Sequence, residues 1–347
     1  MKTIESPILQ RDNLHIFKSL REKKELLKGS RILITGSDGF LGRTIVSFLK
    51  YLNDEQFSDK DKVKIIAIDY KDYDICNSLD SFIEEGPIDY IINCAGIASP
   101  KKYLKAPLKT LDVSYLGTKS VFDLARLRNT KSILMFSSSE VYGTPDPENI
   151  PTKEEYIGTV TTFGNRSCYD IGKNVLETLS YVYYTSYNAP VNVLRPFNLY
   201  GPLMDLYDGR IVPNICKSMI NQTDFSVYGS GQQTRTYCYV ADAMVYMFHV
   251  LLSDSFGQIY NIGSEDEELS ALHIAEKAYN LVDVPNSTFV QKPYPEEYPN
   301  QEPRRRCPNI SKVKTLARYS PQYSFEKGFL SCYMFFSQIA EDKSTNA

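Results

Sequence analysis

The chain has 347 residues, which suggests two domains or one large two-lobed unit and excludes a single small binding module. Hydrophobic residues make up 42% and charged residues 23%, so the sequence can bury a sizeable core and has no signature of bulk disorder. Its 39 Lys and Arg against 42 Asp and Glu leave a net charge of −3, no reason to bind nucleic acid or an anionic membrane, and a small molecule becomes the expected partner.

Residues 1–29 read as a helical extension, with a helix over 12–28 capped by Asp12, one face formed by Leu14, Phe17 and Leu20, and a stop at Gly29. Charges interrupt this segment throughout, so it lacks the apolar core of a signal peptide. No apolar run anywhere approaches the roughly 18 residues needed to cross a bilayer. RILIT (31–35) predicts a strand, followed by a glycine turn and a helix over 40–52. Further strands are expected at 63–69, 88–96, 132–139 and 191–196, alternating with helices near 77–84, 107–128 and 169–188. Such alternation implies an α/β fold with a doubly wound parallel sheet. After Pro196 the elements shorten, with helices near 211–221, 241–253 and 270–282, as in a smaller second lobe, and 340–347 reads as a frayed tail.

The composition narrows the chemistry. With 26 Tyr and only His15, His249 and His273, a histidine metal site or a Ser-His-Asp triad has little material, and no metal is expected. Seven cysteines without a CxxC pair suit buried thiols in a reducing cytoplasm.

Gly36-Ser37-Asp38-Gly39-Phe40-Leu41-Gly42 sits between the first strand and the first helix. Glycines are required there for a sharp turn and for close approach of a pyrophosphate to the helix N-terminus, so a dinucleotide site is expected. Asp69, at the end of the second strand, would accept from the adenosine ribose hydroxyls and repel a 2′-phosphate, which favours NAD over NADP. A second constellation is Ser137-Ser138-Ser139-Glu140-Val141-Tyr142-Gly143 at a strand end, followed by Tyr169 and Lys173 at helical i, i+4 spacing. Free Tyr has a pKa of about 10, so a phenol base near neutrality needs about 4 kcal/mol, which a cation about 4 Å away and the nicotinamide charge can supply. Tyr115 and Lys119 repeat the spacing but precede the serine strand, so Tyr115 reads as helix packing and Tyr169 as the base.

These motifs, with RPFNLYGP (195–202), resemble the extended short-chain dehydrogenases that modify nucleotide sugars, the epimerase/dehydratase family. Within it the blocks at 95–118, 137–143, 164–173, 204–214 and 228–242 are most similar to the UDP-glucuronate decarboxylases, also called UDP-xylose synthases. The resemblance implies a Rossmann-type NAD-binding domain over 30–195 and a nucleotide-sugar lobe over 196–347, interleaved with it. It implies Tyr169 as base, Lys173 as its activator, Ser138 on the sugar hydroxyl and Glu140 beside the sugar carbon under attack. NAD would contact Gly36, Gly39, Phe40, Leu41, Gly42, Asp69, Asp74, Ile75, Ala95 and Gly96, together with Tyr169 and Lys173. The nucleotide sugar would meet Tyr103, Asn198, Arg210, Tyr228, Gln233, Arg235 and Arg306, the last two as guanidinium clamps on a diphosphate, with Arg304 and Arg305 in a solvated turn.

The implied reaction is oxidation at sugar C4, loss of carbon dioxide from the resulting β-keto acid, and return of the hydride. Ser139 stands where related 4,6-dehydratases usually carry Asp, and 4-epimerases usually lack a Glu at position 140, so decarboxylation is favoured over both. A catalytically silent nucleotide-binding scaffold is the alternative of another class. Against the family pattern stand the short 70–73 stretch on the adenosine side, Ser114 in place of Asn, Lys101-Lys102 near the sugar, and the unmatched extension. The long helices after residues 107 and 169 imply a four-helix homodimer contact by the same resemblance.

Overall fold

The computed structural model describes residues 6–293 and 304–345. All five expected strands form: β1 (Arg31–Thr35), β2 (Lys64–Ile68), β3 (Tyr90–Asn93), β4 (Ser132–Phe136) and β5 (Val191–Pro196). β3 and β4 are buried along their whole length, as continuous apolar runs require when helices cover both faces of a parallel sheet. A sixth strand, Gln258–Ile262, pairs in parallel with β5, so the chain returns to the first sheet long after Pro196. The order is β2, β1, β3, β4, β5, then Gln258–Ile262, and the direction of winding switches between β1 and β3. In open α/β sheets the ligand crevice lies at such a switch, beyond the carboxyl ends of the strands.

The helices that place the site are α1 (Pro7–Ser19), α2 (Phe40–Tyr51), α3 (Pro100–Tyr103), α4 (Pro107–Asp112), α5 (Thr118–Leu127) and α6 (Ser167–Tyr187). The helix expected over 107–128 is divided by a π turn at Val113–Gly117. Near 77–84 only a single 3-10 turn, Leu79–Ser81, forms. The expected tail is helical instead: Phe325–Thr345 is one helix.

The extension begins earlier than expected. Pro7 occupies the first turn, where a missing N–H costs nothing, and Ser6 Oγ accepts from Ile8 N. Asp12 is therefore not a cap but a buried mid-helix carboxylate that accepts from the hydroxyls of Tyr239 (2.5 Å) and Tyr323 (3.1 Å). Of the expected docking face Leu20 is buried but Leu14 is exposed, and Ile16 is buried in its place. The surface that α1 covers is the helix Val240–Leu251, every residue of which is buried. An all-round apolar helix needs partners on every side, and the sheet supplies only one of them.

Among the described residues, no helix is long and apolar enough to cross a membrane. All seven cysteines are unpaired thiols, and Cys76 and Cys94 are half-buried instead of buried as expected.

Candidate active site

The glycine turn is built by close backbone approach. Gly36 has φ +65°, and a Cβ there would lie 2.7 Å from Ala95 N at the end of β3. A Cβ at Gly42 would run into the carbonyl of Gly36, so only glycine lets α2 start this close to the turn. Gly39 precedes α2 with no side-chain cap, leaving the helix N-terminus to an anion. Phe40 and Leu41 open α2 and pack against the core. Gly96 lies beside Lys173, whose Nζ would be 3.4 Å from a Cβ at that position. This cradle of backbone N–H groups, which side chains at Gly36 or Gly42 would fill, fits a dinucleotide diphosphate.

On the adenosine side the structure adds detail that the sequence did not carry. Asp69 accepts from the backbone N–H of Asp38 (2.9 Å) and of Tyr70 (2.8 Å), so its carboxylate holds the glycine turn. Asp38 is ion-paired with Lys71. Asp74 pairs with Lys109 from α4, and Ile75 is buried against Gly117. Ser114 Oγ donates to the Thr110 carbonyl at 2.8 Å and fills the narrow gap opposite Gly172, where a larger side chain would force α6 away.

The second constellation converges. Tyr169, in the first turn of α6, is buried, and its ring stacks on that of Tyr103 with centroids 5.2 Å apart. Lys173 Nζ is 5.7 Å from the Tyr169 ring centre and donates to the Phe136 carbonyl at 2.7 Å. Burial pushes Lys173 down to about 8, with Cys94 and Glu177 opposing. Burial also pushes the Tyr169 phenol up, Glu140 adds to that, and a hydrogen bond with Ser138 and the charge of Arg210 oppose it. Burial, the largest of these causes, thus leaves the phenol above its ordinary value. Tyr115, expected to pack, lies exposed on the π turn, and Lys119 pairs with Asp123 instead.

Glu140 sits in a turn (Ser139–Tyr142) directly after β4. Arg306 grips it through both guanidinium ends, and Arg166 Nη2 reaches its Oε2 at 2.5 Å. Burial would raise this carboxyl, but Arg306, Arg166 and Arg235 hold it down to about 2. Arg235 and Arg306 are register partners on adjacent parallel strands, which sets their side chains beside each other. Arg305 faces outward onto Glu268, and Arg304 is exposed. Asn198 donates to the Thr236 carbonyl at 3.1 Å, next to Arg235. Arg210 precedes the helix Ile211–Ile220 and pairs with Asp208 at 3.1 Å. Tyr228 ends a strand (Phe225–Tyr228), and Gln233 leads into the strand Thr234–Thr236 that carries Arg235.

Two residues escaped the sequence reading. Arg166 and Asp170 stand at i, i+4 in the first turn of α6, with Arg166 Nε 3.6 Å from Asp170 Oδ2. Opposite charges at that spacing on either side of Tyr169 were the available signal. Burial and the Glu140 charge push Asp170 up to about 6, against Arg166 and Arg306.

The sequence profile of the NAD dependent epimerase/dehydratase family matches residues 32–263. UDP-glucuronic acid decarboxylase 1 of Xenopus tropicalis is 33% identical over 333 residues, covering 91% of this chain and 74% of that protein. An epimerase of Methanothermobacter thermautotrophicus superposes with a TM-score of 0.78 at 22% identity, over 94% of this chain and 97% of that one. The structure of MoeE5 in complex with UDP-glucuronic acid and NAD gives 0.72 at 17% identity, over 89% and 100%. At such identities the structural likeness establishes the fold.

Proposed function

The chain belongs to the NAD dependent epimerase/dehydratase family, and on that premise we propose that it converts UDP-glucuronate to UDP-xylose through a 4-keto sugar. The observation that carries this reading is the state of Glu140. Two guanidiniums keep it ionised near neutrality, and its neighbour Ser139 has no acidic proton, so neither is poised to expel a C6 hydroxyl as dehydration requires. Loss of a carboxylate carbon needs no such acid. The similarity to UDP-glucuronic acid decarboxylases along most of the chain supports the same choice.

Tyr169 takes the proton of the sugar C4 hydroxyl, while Ser138 hydrogen-bonds the same oxygen. The glycine turn, Asp69 and Lys173 would hold NAD, which would supply a hydride acceptor and donor for C4 and a positive charge that favours the phenolate. The C5 carboxylate of the 4-keto sugar leaves as carbon dioxide with its electrons flowing into the C4 carbonyl. A proton from solvent then adds at C5, and Tyr169 gives its proton back to the C4 oxygen as the hydride returns. The cycle consumes one proton. Arg235 and Arg306 bind the diphosphate, with Tyr103, Asn198, Arg210, Tyr228 and Gln233 around the nucleotide and sugar.

A homodimer is part of this reading, with its contact on α4–α6. Leu108 on α4 and Tyr181 on α6 are 77% and 69% exposed, apolar surface that a second copy would cover. A reducing compartment such as the cytoplasm suits the seven free thiols.

Purified protein incubated with UDP-glucuronate and NAD should release carbon dioxide and form UDP-xylose, read by mass spectrometry, and Tyr169→Phe should do neither. Turnover of a neutral UDP- or dTDP-sugar without any on UDP-glucuronate would replace the reading with dehydration or epimerisation. Function unaffected by Tyr169→Phe would favour a scaffold.

A further inference from the structure

Arg166 is one guanidinium placed between two carboxylates. Its Nη2 is bonded to Glu140 at 2.5 Å, while its Nε stands 3.6 Å from Asp170, beyond hydrogen-bond distance. The Asp170 side chain is only 10% exposed, and its Oδ1 is buried without a hydrogen-bond partner. A buried carboxylate oxygen in that condition is costly unless a partner reaches it in another state of the site. Two further buried atoms around Glu140, Tyr103 Oη and Arg306 Nε, are also unpartnered, so the polar groups here exceed the bonds that this arrangement makes.

We propose that Asp170 is a positioning residue for Glu140: ionised, it draws Arg166 away and releases the Glu140 carboxylate to the sugar, and protonated, it leaves Arg166 in place. The inference rests on the reading that Glu140 works at the sugar. A carboxylate held by two guanidiniums is a weak base with few lone pairs to spare. Arg306 gains an alternative partner when an anionic substrate arrives. Arg166 is buried, and among the described residues Asp170 is a carboxylate within 4.0 Å of it besides Glu140. The exchange moves no charge out of the protein and needs only a small rotation of one guanidinium.

The groups facing Asp170 define its response to pH. They are Arg166, Cys168 and Tyr169 on its own helix, Glu140 from the turn after β4, Arg306 from the short strand Arg305–Arg306, and Tyr103 from α3. Burial and Glu140 keep the proton on Asp170 up to about pH 6. Below that value Arg166 stays on Glu140 and turnover falls, and above it Glu140 is released.

Two measurements test this. The first is the pH profile of kcat on UDP-glucuronate for the wild type, Asp170→Asn and Asp170→Glu. The wild type should show an acid limb centred near pH 6, and Asp170→Asn should be roughly tenfold slower near neutrality with that limb gone and KM within about twofold. Asp170→Glu should keep the limb with a displaced midpoint, which separates a charge effect from simple loss of packing. An Asp170→Asn profile with the wild-type limb overturns the proposal. The second is a pair of crystal structures of the wild type near pH 5 and pH 8, which needs no turnover. The 3.6 Å Arg166–Asp170 gap should close to hydrogen-bond distance at the higher pH and open at the lower. An unmoved Arg166 overturns the proposal, whereas absent carbon dioxide release with a moving Arg166 overturns only the assigned reaction.

Discussion

Arg306→Met keeps the aliphatic stem of Arg306 but removes the guanidinium that contributes most to holding Glu140 ionised. The gap between 4.5 and about 2 for this carboxyl, whose side chain is one-fifth exposed, corresponds to about 3 kcal/mol in favour of its charged form. Breaking a buried pair from one side costs about 3–5 kcal/mol, and Arg166 remains to share the load, so Arg306→Met should cost about 3 kcal/mol. Glu140→Gln leaves two guanidiniums facing each other and should cost a comparable amount. The double variant removes both sides of the pair, so its cost should fall short of the sum by about 2 kcal/mol. Urea unfolding followed by far-UV circular dichroism suits a chain with no Trp. The coupling also has a definite pH window. Glu140 is depressed, so its contribution is fully present above about pH 4.5 and is lost as pH falls toward about 2. Additive single costs near neutrality would refute the argument that the three charges act as a unit.

Other consequences are equally direct. Gly42→Val should weaken NAD binding by about 100-fold or more, measured by calorimetry, because the new side chain enters the backbone of the glycine turn, and wild-type affinity would contradict this. Asp12→Ala leaves two tyrosine hydroxyls stranded beneath α1 and should cost about 2–3 kcal/mol in urea unfolding. Leu108→Glu should convert a dimer to a monomer in sedimentation velocity, and an unchanged species would move the contact elsewhere on the surface.

The parts of the fold that were readable in the sequence are those in which local chemistry decides. An apolar run ending at a glycine of positive φ, then a helix, is a pattern complete within about a dozen residues, and β1, Gly36 and α2 follow it. Gln258–Ile262 escaped because its five residues alternate in character and its partner strand lies more than 60 positions earlier. Asp12 was misplaced for a related reason: a carboxylate in mid-helix is indistinguishable from a cap until its distant phenol partners are known. In the site, the pairing of Tyr169 with Lys173 was legible from spacing and chain order, whereas Ser138 and Glu140 were singled out by the family resemblance. The grip of Arg306 and Arg166 on Glu140 was not, because it joins three separate segments. Neither was the rise in the Tyr169 phenol, since burial is a property of the whole fold.

The docking of α1 also bears on the order in which the chain acquires its final form during synthesis. Asp12 meets Tyr239 and Tyr323, which follow it by 227 and 311 residues, and Arg11 reaches Ser331, 320 residues on. During synthesis α1 must therefore wait for partners 227 to 320 residues later, while the strands between them can already pair. The helix Val240–Leu251, apolar on every side, stays partly uncovered until α1 settles on it. Those long-range contacts act as a completion seal, so a chain truncated before Tyr323 should display this helix to chaperones even with the six-stranded sheet assembled.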